Sequence, residues 1–220
     1  MEYENLISVL KKSKGFNNDT DWDFRGLPIG NISSRKNIER IQIKNADFKY
    51  SNFENCNFTK VKFTECNFSS TNFKEIRLWN CQFINCTFFK ADFQNATMGV
   101  DCLYQDCNFE SCKLKGKYFG FGSHSKFINC KFLKCDIRSA WILSALFDNS
   151  IFESKFTNVR FSGRKEATLS GKKEFPATFK NCDLTNSNFN GVEIMDGAII
   201  QNSNLPKQES TRVYNRTYFE

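Results

Sequence analysis

The 220-residue chain has one histidine, three prolines and three tryptophans. A lone His124 leaves almost nothing to complete a zinc site. It also gives the many serines and cysteines only one imidazole base, so catalysis of the Ser-His or Cys-His kind has no constellation to run on. No apolar run approaches the ~18 residues of a membrane span. The opening residues, MEYENLISVLKK, start acidic and lack an uninterrupted apolar stretch, which argues against a secretory leader. The glycines of GKYFGFGSH do not have the spacing of a phosphate-binding loop. These absences describe a cytoplasmic chain that is not an enzyme and holds no cofactor or metal.

What the chain has in plenty is phenylalanine, with 25 residues, and cysteine, with 10. From Ala46 to Met98 a large apolar residue returns at every fifth position: Phe48, Phe53, Phe58, Phe63, Phe68, Phe73, Leu78, Phe83, Phe88, Phe93 and Met98. Two residues before each stands a small or β-branched one, such as Ala46, Ser51, Cys56, Val61 or Thr71. A period of five is neither the helical 3.6 nor the strand 2.0. A chain that turns a corner every five residues keeps both rows on one side. Four corners close a square coil of about twenty residues, and stacked coils pair at the ~4.8 Å strand spacing.

This beat resembles that of the pentapeptide-repeat proteins, whose consensus is A(D/N)LXX. The resemblance implies an all-β fold, a right-handed quadrilateral parallel β-helix. It covers residues 36–205, about seven coils and a rod of roughly 35 Å. Residues 1–35 read as an N-terminal cap, with a short amphipathic helix over 2–14 closing the first coil. Residues 206–220 form a tail beyond the last coil.

The beat begins near Ile38 and Ile43 and runs to Leu103, where Asp106 adds one residue. It breaks at 115–126, where three glycines and His124 favour a loop over a coil. It breaks again at 162–176, either a long loop or a distorted partial coil, with the loop favoured. Nine cysteines fall at the small inward position and Cys102 does not, so they read as buried free thiols rather than disulfides or metal ligands. Asparagine recurs just before the inward phenylalanine, where its amide can bond nearby backbone at a corner.

Binding is the remaining class of function, and three sets of residues are candidates. Trp79, Ile84, Phe89, Tyr104 and Trp141 occupy outward positions, and Ile84 and Tyr104, twenty residues apart, stack on one face. The loops offer Lys115, Lys117, His124 and Lys126 in the first, and Arg164, Lys165, Lys172, Lys173 and Phe175 in the second. The tail carries Val213, Tyr214, Tyr218 and Phe219, which fold back over the open end or reach a second subunit as a homodimer through the C-terminal end.

The reading is a noncatalytic, rigid scaffold that binds a protein partner through its faces and loops. The alternative implied by the resemblance is that of the Qnr-type members, which bind and protect type II topoisomerases and so confer quinolone resistance. The net charge of +7 opposes their DNA-mimicking mechanism. A further alternative is direct nucleic-acid binding through the basic loops, although acidic residues interrupt any basic stripe. The abundance of Lys, Asn, Ile and Phe is compatible with an AT-rich bacterial genome.

Overall fold

The computed structural model describes residues 22–162, 176–195, 197–207, 211–213 and 218–219. The expected helix over 2–14 and residues 163–175 of the second interruption lie outside them. The described residues contain strands, bridges and turns and no helix.

The corner is a single backbone event. Two residues after most central residues the chain turns left-handed, with φ near +55° at Asn45, Tyr50, Asn55, Lys60, Glu65 and Ser70, and the pattern continues through Asn95, Asp106, Asn129 and Asn181, with exceptions such as Ser144, Ser154 and Asn186. Left-handed backbone costs an L-residue about 1–2 kcal/mol, least for Asn and Asp. No β-branched residue occupies any of these corners among the described residues.

Four corners make a coil, and coils stack into four parallel ladders, named here by a central residue. The Phe58 face runs through Lys36–Glu39, Cys56–Thr59, Arg77–Trp79 and Thr97–Val100, crosses Gly120, and continues in Trp141–Ile142, Arg160–Phe161 and Val192–Ile194. The Phe63 face runs through Gln42–Lys44, Lys62–Thr64, Gln82–Ile84, Leu103–Gln105, Ser123–Ile128, Ser144–Asp148, Thr178–Lys180 and Ile199–Gln201. The Phe68 face joins Ala46–Asp47, Asn67, Thr87–Phe89 and Asn108–Glu110, and the Phe73 face joins Asn52, Asn72, Asp92 and Lys113–Lys115. These two faces continue through the first and second halves of the longer strands Lys131–Arg138 and Ile151–Thr157.

Both inward rows are buried throughout. Along the Phe68 face the rings of Phe48, Phe68, Phe88, Phe109, Phe132 and Phe152 stack with centroids 4.6–5.2 Å apart. A second stack on the Phe63 face runs Phe63, Phe83, Tyr104, Phe127, Phe147, Phe179 at 4.7–5.3 Å. Such pairs add about 0.5–1.5 kcal/mol each beyond the burial of their area.

The small inward row has its own polar logic. The backbone N–H of a small residue finds an acceptor in the side chain one coil above: Cys135 N–H donates to Ser154 Oγ at 3.0 Å, Cys130 N–H to Ser150 Oγ at 3.1 Å and Cys81 N–H to Cys102 Sγ at 3.3 Å. Ser154 Oγ in turn donates to the Phe132 carbonyl at 2.7 Å. A core this dry tolerates Ser and Cys because each closes a backbone gap. The residue before the central phenylalanine caps turns as expected. Asn52, Asn67 and Asn72 each accept the N–H two residues on, at 2.9–3.1 Å, and Asp47 and Asp92 do the same.

Two departures from the five-residue reading stand out. The extra residue enters at Gly99–Val100, not at Asp106. Cys102 and Tyr104 therefore point inward in place of Leu103, and all ten cysteines are buried. Residues 115–126 are also no loop. Phe119 and Phe121 take the small and central inward positions, and Ser123–Ile128 is a strand. Only Lys117–Tyr118 is inserted at the corner, and the extra residue below is carried into this coil, where Val100 pairs with Ser123, until the register shifts again between Ser123 and Lys126. At these bulges the coils meet backbone to backbone. A Cβ on Gly122 would lie 1.6 Å from the Gly99 carbonyl oxygen, and both glycines have positive φ.

Replacing Asn80, an exposed left-handed corner with φ 53°, by Val should lower stability by about 1–2 kcal/mol relative to Gly at the same position in chemical denaturation. Ser154→Ala should cost about 1–3 kcal/mol by leaving the Cys135 N–H unpaired, whereas Ser154→Cys should cost less. Equal effects for Ala and Cys would remove the hydrogen-bond account of the small row.

Candidate interaction surfaces

Tyr104 cannot be a contact residue. Its ring is fully buried between Phe83 and Phe127, and its hydroxyl donates to the Met98 carbonyl at 3.3 Å. The proposed pairing with Ile84 fails for the same reason. The ladder partner of Ile84 is Gln105, and Ile84 itself is half-buried.

The four residues assigned to the first loop disperse over the rod. Lys115 lies on the Phe73 face, where its ammonium contacts Asp136 at 2.8 Å. Arg138 also binds Asp136, and these hydrogen bonds hold its carboxyl below the usual carboxylate range. Lys117 is exposed at the corner insertion, its ammonium 5.2 Å from the centroid of the Tyr118 ring. His124 is buried at the next corner, 4.0 Å from an Asp101 oxygen, and its backbone N–H donates to Ser144 Oγ. Lys126 is exposed on the Phe63 face between Leu103 and Leu146 in the ladder. No basic cluster results.

Other basic residues are neutralised across coils, Lys113 by Asp92 at 3.1 Å and Arg160 by Glu193 at 2.6 Å. Arg164, Lys165, Lys172, Lys173, Phe175 and Tyr214 lie outside the described residues. The backbone of Val213 belongs to Thr211–Val213, which pairs with Val192–Ile194. Tyr218–Phe219 pairs with Ile199–Gln201.

The sulfur chemistry is silent. Burial pushes the Cys56 thiol up to about 12 and Cys182 up to about 11, and it drives Cys107 and Cys112 well above the ordinary value. Thiols that stay protonated at neutral pH are poor nucleophiles and poor metal ligands. Among the described residues no group of three or more His, Cys, Asp or Glu side chains could hold a metal ion.

The exposed aromatic residues gather more than the sequence pattern indicates. Trp79 and Trp141, 44% and 48% exposed, both belong to the Phe58 face, and between their rungs lie the bulged coils with Gly99, Gly120 and Gly122. The two indoles stand in adjacent columns of this wall, Trp79 in line with Val100 and Ser123 and Trp141 in line with Gly120 and Thr97. The Arg160 guanidinium lies 5.1 Å from the Trp141 ring centroid, and Tyr118, 65% exposed, stands two residues before Gly120. Spacing by fives could not place Trp79 and Trp141 together, because the bulges shift the count between them.

The described residues form a four-sided parallel β-solenoid whose coils are built from five-residue repeats. Residues 41–80 and 66–99 match the model of the family Pentapeptide repeats, in eight copies. The family match covers residues 41–99 of the chain.

Its fold is similar to that of HetL, a pentapeptide repeat protein involved in heterocyst differentiation regulation from the cyanobacterium Nostoc sp. strain PCC 7120. The two share 12% identity over 96% of this chain and 92% of that one, with a TM-score of 0.51. A trypsin-treated QnrB1, a plasmid-mediated fluoroquinolone resistance protein, aligns at 15% identity over 88% of this chain and 92% of that one. Its TM-score is 0.41. No curated protein matches the sequence.

Native protein at pH 8 should show almost no thiol alkylation by iodoacetamide on a timescale that labels all ten cysteines in denaturant. Rapid labelling of Cys66, Cys86 or Cys107 in the native state would contradict the burial of the thiol rows.

Proposed function

We propose that this protein is a noncatalytic interaction module that docks a protein partner on its Phe58 face. The supporting observation is that Trp79 and Trp141, both exposed, stand on the same wall with only small or half-buried residues, Thr97, Val100, Gly120 and Ser123, on the rungs between them. Protein interfaces concentrate their binding energy in Trp, Tyr and Arg anchors on preorganised surfaces, and Trp79, Trp141, Tyr118 and Arg160 supply that set. Side chains here are held by a ladder rather than by a loop, so little order is lost on binding.

The sign and pairing of the surface charge favour this reading over two others. A nucleic-acid footprint needs a continuous basic stripe, whereas Lys113 and Lys115 are each matched by an aspartate. Mimicry of duplex DNA needs an acidic face, and the chain is net positive. A topoisomerase remains a partner of the right kind for a contact that does not depend on acidic mimicry.

The first test is supercoiling by purified gyrase at two salt concentrations, with and without a fluoroquinolone, using the full chain and the Trp79→Ala/Trp141→Ala variant. Inhibition or drug protection by the full chain, lost at least tenfold in the variant at unchanged melting temperature, would identify the partner as a topoisomerase. With no effect on gyrase, affinity capture takes over. A partner held equally well by the full chain and the double variant would refute docking on the Phe58 face.

A further inference from the structure

The Phe68 face carries a cleft that the protein-docking reading does not use. Three successive coils place the pairs Lys49–Tyr50, Ser69–Ser70 and Phe89–Lys90 at equivalent positions, because Tyr50 N–H donates to the Ser69 carbonyl and Ser70 N–H to the Phe89 carbonyl. The middle pair is short and the outer pairs are tall, so a trough of about 770 Å³ opens between them. That volume is in the range of small-molecule sites, ~300–1,000 Å³.

The chemistry of the walls is specific. Lys49 shares its column with Phe89, and Tyr50 shares its column with Lys90, so each wall presents one aromatic ring and one ammonium in diagonal arrangement. The floor offers the Ser70 hydroxyl, since Ser69 Oγ donates to Asn67 Oδ1, and the one carboxylate in the lining, Glu65, lies 3.7 Å from the Lys44 ammonium. Tyr50 is 69% exposed in a left-handed corner with φ 62°, a conformation that suits Asn better than an aromatic residue. The Lys90 ammonium sits 5.0 Å from the Phe89 ring centroid, and Lys49 makes only a 3.9 Å contact with Asp47. Two coil spacings, about 9.6 Å, separate the walls. A planar ring entering the trough can lie against Tyr50, with an anionic substituent reaching the ammonium and hydroxyl groups.

We infer that this cleft binds a small planar aromatic anion of about mononucleotide size, its ring laid against Tyr50 and its anionic group met by Lys49, Lys90 and Ser70. The ring and the charge each contribute, so neither half alone binds well. Salt weakens the complex through the two lysines.

Calorimetric titration of the full chain with AMP, phenyl phosphate, adenosine and inorganic phosphate tests this. The expected result is that AMP or phenyl phosphate binds at least tenfold tighter than inorganic phosphate or adenosine. Tyr50→Asn, which keeps a residue suited to the corner, should then weaken binding at least tenfold at unchanged melting temperature, and Lys90→Gln should flatten the salt dependence. Equal affinity for AMP and inorganic phosphate would overturn the inference, as would AMP binding that survives Tyr50→Asn or no binding of any of the four probes.

Discussion

The left-handed residue at most corners is the constraint on which the rest depends. With φ near +55° two positions after most central residues, the chain turns once per repeat and closes in four. That closure makes the strands of successive coils parallel and in register. Register then stacks like side chains on like, phenylalanine on phenylalanine and thiol on thiol. A residue that refused the left-handed region would open the square and break two columns at once. The composition follows: the left-handed corners hold Asn, Asp, Ser, unbranched long chains, Tyr50 and His124, and no β-branched residue among the described residues.

The interior is organised by size. Phenylalanine rings from four walls fill the axis, and the residues two positions earlier must be small because they stand where the chain leaves one wall for the next. Serine and cysteine suit that place better than alanine where an N–H would otherwise be unmatched, as at Cys135 beneath Ser154. The abundance of cysteine is thus a packing and hydrogen-bonding choice. All ten thiols are buried, and burial raises those of Cys56, Cys107, Cys112 and Cys182.

Much of this was legible from sequence. The two inward rows from Ala46 to Met98, the buried thiols and the turn-capping asparagines follow from spacing and residue type alone. The bulge did not, because Leu103 and Tyr104 are both apolar and a count by fives accepts either as the central residue. Cys102, the one cysteine out of step, marked the error, as did the glycine at 99. The segment 115–126 misled for a related reason. Its glycines permit close contact between coils rather than a flexible loop, a distinction that depends on the neighbouring coil. Of the surface, sequence offered individual exposed aromatics. Their grouping depended on wall assignments that the bulges displaced, and Tyr50 was invisible until its corner was known to face outward.

The paired bulges at Gly99–Val100 and Gly122–Ser123 bear on how such a chain can change its length. A residue added within one wall leaves the coils above and below unmatched, and register shifts do flank the pair on both sides. Two adjacent coils share the same addition, so only its outer boundaries are mismatched. Lys117–Tyr118 shows the other solution, extra residues pushed out at a corner where no ladder is disturbed. Insertions during descent are therefore confined to two routes, copied into the next coil or expelled at a vertex. In this protein the copied addition lies on the rungs between Trp79 and Trp141, so a change in repeat length also sets how far apart the two indoles stand.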